Sequence, residues 1–388
     1  MDDGFVTGGH NRDRRPDSAP GGKAMDQQYE LRLVGEPVRR TRARPAARRG
    51  AALPDRQNPT IKSPAISGSA NGQALKSAAR AVKARPAFLL PSVSADDAFR
   101  LTLQQCKWHI IANVPAVLEA HAPEGVHQLR VALRRLRVAL ASFDEKFRAP
   151  PMEALRMRAQ ILAQGLAPAR DLDVFMDELF EPAARANGSV EAFAVLRERA
   201  GAARREAWAD AVCEVSGLAF RTFLHDLGEA VDEKLWCDGL RGLVAFEQPA
   251  TDLANRVLGH RLKAAKKRAR QLESLNEAER HRLRIALKKL RYTAEFFAPL
   301  YPADAVAPFI KRLSQMQDIL GLLQDVAVAR KTLAHLIEEP PEERRGPRAD
   351  LSFAAGIVYG WHLDRSANAW SEAVSRWKRF AKAKPFWA

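Results

Sequence analysis

Residues 126–143 read VHQLRVALRRLRVALASF, and residues 280–297 read RHRLRIALKKLRYTAEFF. At an offset of 154 residues, His127/His281, Leu129/Leu283, Arg130/Arg284, Ala132/Ala286, Leu133/Leu287, Leu136/Leu290, Arg137/Arg291 and Phe143/Phe297 are identical. Val131/Ile285, Arg134/Lys288 and Arg135/Lys289 are conservative pairs. The register persists downstream, where Leu166, Asp171, Val174 and Leu179 meet Leu320, Asp325, Val328 and Leu333, and Arg158 meets Arg312. Such self-similarity without insertions marks two copies of one structural unit.

On an α-helix each residue advances by about 100 degrees. With His127 at zero, Arg130, Arg134 and Arg137 fall at about 300, 340 and 280 degrees, one narrow stripe. Leu129, Leu133, Leu136 and Leu140 fall between about 180 and 240 degrees, a core-facing stripe beside it. The second copy repeats the pattern with His281, Arg284, Lys288 and Arg291 against Leu283, Leu287, Leu290 and Ala294. Stacked cations repel along a helix. No carboxylate lies within the stripe, so an anionic partner is expected there. Arg supplies a bidentate donor fork for phosphate oxygens, and Lys supplies a point charge. A single Arg-rich face reads as a solvated surface. Its repetition in register favours a ligand. Arg135 and Lys289 fall at about 80 degrees, where solvation is expected.

The repeats lie in a long helical region beginning at Ser94, an N-cap followed by Asp96 and Asp97. Breaks are expected near Pro123–Gly125, Pro150–Pro151, Asn187–Gly188, Gln248–Pro249, Asn276, Pro302 and Glu339–Gly346. No stretch reads as a strand, so the fold is all-α. Residues 94–388 divide into halves at about 94–247 and 248–388, each with about four helices. Residues 1–93 hold nine Pro, nine Gly and 17 Lys or Arg against eight acids, with little apolar periodicity. They read as a disordered basic tail, in which 74–85 has the pattern of a short basic helix.

The 388 residues include 62 Lys and Arg against 46 Asp and Glu, a net charge of +16 that favours polyanions. Cys106, Cys213 and Cys237 show no CxxC spacing, which fits a reducing compartment and no zinc site. There is no signal-like apolar run at the N-terminus and no membrane-spanning segment, so a cytoplasmic protein without a membrane partner is expected.

His127–Arg137 and His281–Arg291 resemble the signature of the CHAD family, as do Tyr292 and Glu295. Arg170-Asp171-Leu172-Asp173-Val174 and Leu320-Gly321-Leu322-Leu323-Gln324-Asp325 are similar to its later elements. The resemblance covers about residues 94–385. It implies two pseudo-symmetric four-helix bundles flanking a basic channel, inorganic polyphosphate as ligand, and a place at polyphosphate granules. By motif position it implies contacts from His127, Arg130, Arg134, Arg137, His281, Arg284, Lys288 and Arg291. Arg158 and Arg312 are further candidates, and Lys263 and Lys267 weaker ones. It implies a structural role for Asp171 and Asp325. Relatives often carry an N-terminal triphosphatase domain, but its alternating glutamates are missing around Tyr29–Leu33.

No P-loop, HExxH or Ser/His/Asp arrangement stands in a suitable context, and the motif helices offer no carboxylates to hold Mg²⁺. A binding protein without cofactor, metal or catalytic residues is therefore expected. The rival is a nucleic-acid or nucleoid-associated protein, for which the Arg-rich tail is suited. Against it, the motif stripe lacks interleaved aromatics for base stacking. Oligomeric state and preferred chain length stay open.

Overall fold

Ser94 begins the helical region as its sequence implies: its hydroxyl accepts the Asp97 N–H at 3.1 Å, with Asp96 and Asp97 in the first turn. A computed structural model describes residues 80–143, 149–188, 191–237, 246–338 and 348–388, which all fall in the unit Ser67–Ala388. The first copy comprises α1 (Ala95–Leu118), the motif helix α2 (Pro123–Phe143), α3 (Pro150–Gly165), α4 (Ala167–Val174), a π-helical turn (Phe175–Phe180), α5 (Glu181–Ala186), α6 (Glu191–Ser216) and α7 (Leu218–Asp232). The second comprises α8 (Ala250–Arg268), the motif helix α9 (Glu277–Phe297), α10 (Ala303–Glu338) and α11 (Arg348–Ala381). At the repeat offset, α3 to α5 answer to α10, and α6 with α7 to α11. The fold is all-α. No helix among the described residues is long and apolar enough to cross a membrane.

Local chemistry fixes the motif helices. Asn276 accepts the Glu279 N–H at 3.0 Å and Glu279 accepts the Asn276 N–H at 2.9 Å, a reciprocal capping box that starts α9. At the start of α2, a Cβ on Gly125 would lie 2.8 Å from the Ala116 Cβ. Only glycine permits that approach of α2 to α1, two residues before His127.

The pseudo-twofold relation is visible where equivalent residues meet. The rings of Phe143 and Phe297 lie 5.0 Å apart. The starts of the two copies exchange backbone bonds, Ala95 N–H to the Gln248 carbonyl and Ala250 N–H to the Val93 carbonyl, both at 2.9 Å. That single bridge is the only β pairing among the described residues.

The leucine stripes are buried: Leu129, Leu133, Leu136, Leu283, Leu287 and Leu290 are fully inaccessible. Each contributes roughly 2 kcal/mol of apolar burial. The apolar cores do not follow the repeat boundary. One cluster joins both motif helices with the first half of α10. The other joins Phe175, Phe180 and Phe193 to Leu333, Leu336 and Val358, again from both copies. Neither copy holds a core of its own.

The expected boundary at residue 94 is corrected. Residues 1–79 of the basic tail lie outside the described residues, whereas 80–93 pack on the helices and bury Ala87 and Leu89 in the main core. Residues 80–85 are non-helical in the absence of a polyanion, and 74–79, the rest of the helix pattern, lie outside the described residues. The Val82 backbone bonds go to side chains of α1, which leave no periodic signal. Deleting residues 1–93 should therefore cost about 2–4 kcal/mol relative to deleting 1–79, from lost burial and hydrogen bonds. Urea unfolding of the two truncations measures this, and equal midpoints would restore the boundary at 94.

Candidate functional site

The cation stripes of α2 and α9 border a cleft of about 830 Å³. His127 and Arg134 reach it from α2, and Arg284, Lys288 and Arg291 from α9. Asp318 and Asp325 of α10, Glu178 of the π-turn, and Lys83 and Arg85 ahead of α1 complete its charged lining, with Arg135 and Glu295 at one side. Seven Lys or Arg thus face four carboxylates. Glu295 is already engaged, accepting from Arg291 at 2.7 Å and paired with Arg135.

The repeat is also legible in the polar contacts. Arg137 donates to Gln160 at 2.6 Å, and its equivalent Arg291 donates to Ser314, the equivalent of Gln160, at 3.4 Å. Arg291 also donates to Gln317 at 3.2 Å. Arg130 donates to the Ala163 carbonyl at 2.7 Å, which ties it to the end of α3. The buried Nε–H groups of Arg130, Arg134, Arg137 and Arg284 have no hydrogen-bond partner among the described residues. Three of these donors lie on α2 and one on α9, and two of them, on Arg134 and Arg284, belong to residues that line the cleft.

Burial governs the electrostatics. It pushes the Lys288 ammonium down to about 7, helped by Arg284, Arg134 and Arg130 and opposed by Asp325. It pushes His127 down to about 4, with Arg170 as the next cause, so the ring is neutral at pH 7 without a ligand. Arg130 falls to about 10 for the same reason, and Arg284 is also lowered. The carboxyls of Asp171 and Asp325 are raised by burial despite the arginines around them. Every one of these shifts disfavours a charged form, and added phosphate charge would reverse those of the cations.

The structure brings together only part of the predicted set. His127, Arg134, Arg284, Lys288 and Arg291 share the cleft, with Arg130 within electrostatic reach of Lys288. His281 is hydrogen-bonded to Gln324 and lines an adjoining pocket of about 140 Å³, to which Arg284 also contributes. Arg137 is held at Gln160, beside the cleft. Arg158 points away, paired with Asp226 of α7 and lying over the Phe223 ring at 5.7 Å. Arg312 lies on a separate groove with Arg376, Arg379 and Lys382. Lys263 and Lys267 are exposed on α8 and line neither pocket.

Arg135 corrects the expectation of solvation. It is only 7% exposed, ion-paired with Glu295 and stacked over Phe296 at 4.9 Å. Lys289, by contrast, is exposed as expected. The expectation of a stripe without compensating carboxylates is also modified, because Asp171 and Asp325 enter from the following helices and face cations of both copies. Arg170 was missed, although its position signals it: Arg170 lies in the field of His127 as its equivalent Gln324 bonds His281.

A sequence model of the CHAD domain matches residues 101–334, and the chain belongs to that family. Its fold is similar to the crystal structure of the CHAD domain from the plant Ricinus communis, with 28% identity over 79% of this chain and 98% of that one, at a TM-score of 0.65. PptA from Streptomyces chartreusis shares the fold at 18% identity and a TM-score of 0.54, over 74% and 100% of the two chains. Comparison with curated proteins finds no sequence match.

Lys288 makes the cost of this site measurable. Its ammonium titrates at about 7 when folded and near the ordinary 10.5 when unfolded, so stability rises with pH between those values. Lys288→Met should stabilise the ligand-free protein by about 1–3 kcal/mol at pH 6–7, with the gain shrinking toward pH 10. Denaturant midpoints across pH test this. A variant less stable than the parent at pH 7 would contradict the account.

Proposed function

We propose that the cleft binds inorganic polyphosphate and that the protein is a binder rather than an enzyme. The observation carrying this reading is the convergence of Arg134, Arg284 and Lys288 from both copies around unpaired, buried Nε–H donors. A linear chain of closely spaced phosphates offers oxygens to successive donors along such a cleft. Membership of the CHAD family supports the same ligand, and granule association follows as part of the proposal. Three of the four lining carboxylates are engaged by cations, Glu295 with Arg135 and Arg291, Glu178 with Arg170, and Asp325 beside Arg284, which supports binding over catalysis.

A thin, flexible polymer fits between two helices more readily than a stiff duplex, whose phosphates stand on a wide cylinder. Counterion release should make log affinity fall linearly with log salt concentration, as for nucleic acids. In competition at physiological salt, long-chain polyphosphate should displace labelled polyphosphate, whereas duplex DNA at equal phosphate concentration should not. Arg134→Ala with Arg284→Ala should weaken polyphosphate binding at least tenfold with helicity unchanged. Equal or tighter binding of duplex DNA would replace this reading with a nucleic-acid one.

A further inference from the structure

Ahead of α1, Lys83, Ala84, Arg85 and Pro86 border the cleft, and the preceding Val82 is gripped by buried polar side chains. Asn113, fully buried on α1, accepts the Val82 N–H at 2.9 Å and donates to the Val82 carbonyl at 3.0 Å. His109 Nε2 lies 3.0 Å from that carbonyl and 3.2 Å from Gln128 Oε1. Both neighbours are acceptors, which assigns the proton to Nε2. Gln128 stands next to His127 on the motif helix. Two buried polar side chains of α1 thus hold one backbone position, with Gln128 of the motif helix backing His109, and burying such polar groups is costly without these bonds.

The clamp sets two cations on the cleft. Lys83 and Arg85 both line it, one and three residues after Val82. Neither has an ion-pair partner among the described residues. The Arg85 guanidinium lies 4.1 Å from the centroid of the Trp108 ring. Stacking of this kind fixes the plane of the guanidinium and leaves its in-plane N–H donors available. The same segment buries Ala87 and Leu89 farther along, so apolar packing alone accounts for its later half and not for the placement of Lys83 and Arg85.

We propose that residues 82–86 form a third wall of the polyanion cleft. Lys83 and Arg85 contact phosphates of a chain held by Arg134, Arg284 and Lys288, and Asn113 is the positioning residue that holds the wall in place. The inference rests on the cleft being the ligand site. Cations on three sides turn an open groove between two helices into an enclosing channel, which favours a long polymer over a short phosphate.

The test uses the full-length protein and long-chain inorganic polyphosphate, titrated at several salt concentrations. Lys83→Ala with Arg85→Ala should weaken binding three- to tenfold and reduce the slope of log affinity against log salt by about two, one for each cation removed. Lys83→Arg with Arg85→Lys should restore most of both. Asn113→Ala should lower affinity similarly and add little in the Lys83→Ala, Arg85→Ala background, because it acts through the same contacts. Should Asn113→Ala fold poorly, the two wall substitutions decide alone, since both side chains are exposed. Unchanged affinity and slope in the double variant, alongside a loss in Arg284→Ala, overturns the wall and leaves the cleft standing. Parent-like binding by Arg284→Ala overturns the cleft, and the wall with it.

Discussion

Burial of mutually repelling cations is the constraint on which the structure depends. Burial is the largest penalty on the charges of Arg284 and Lys288, Arg134 adds to both, and Arg284 adds to that of Lys288. Left to themselves they would separate into water. Two helices with fully buried leucine faces hold them together instead. With roughly 2 kcal/mol from each of six leucines, the apolar seam opposes that separation.

The shared core explains why one copy would not suffice. The cleft needs α2 and α9 side by side, and their contact is built from equivalent residues at the pseudo-twofold axis, Phe143 against Phe297. The distal cluster ties the second half of α10 and the first half of α11 to the π-turn, α5 and α6, so the two copies are joined there as well. Asp171 and Asp325 then enter from the helices that follow the motifs and temper the cations without cancelling them. Symmetry is broken where the site becomes specific. Glu295 has no acidic equivalent, since Ala141 stands at that register, and it binds both Arg135 and Arg291.

Much of this was legible in the residues, because helical periodicity reports the angle of each side chain about its own axis. That angle put Arg134, Arg284 and Lys288 on a common stripe and the leucines inside. It says nothing of which neighbour stands at a given angle. Arg135 read as solvated because Glu295 and Phe296 reach it from another helix, and Arg158 read as a contributor because Asp226 of α7 was invisible. The segment 80–93 read as tail because it is held by side-chain bonds at Val82 and burial of Ala87 and Leu89, not by a repeating pattern.

A polyanion entering the cleft would recover the free energy withheld by depressed cations, above all Lys288 and His127. Binding must then raise their proton affinity and draw protons from solution. Calorimetric titration of long-chain polyphosphate at pH 7.5–8, in buffers of different ionisation heat, counts those protons. The account predicts net uptake, reduced in Lys288→Met. Binding with no proton uptake, or with release, would contradict it.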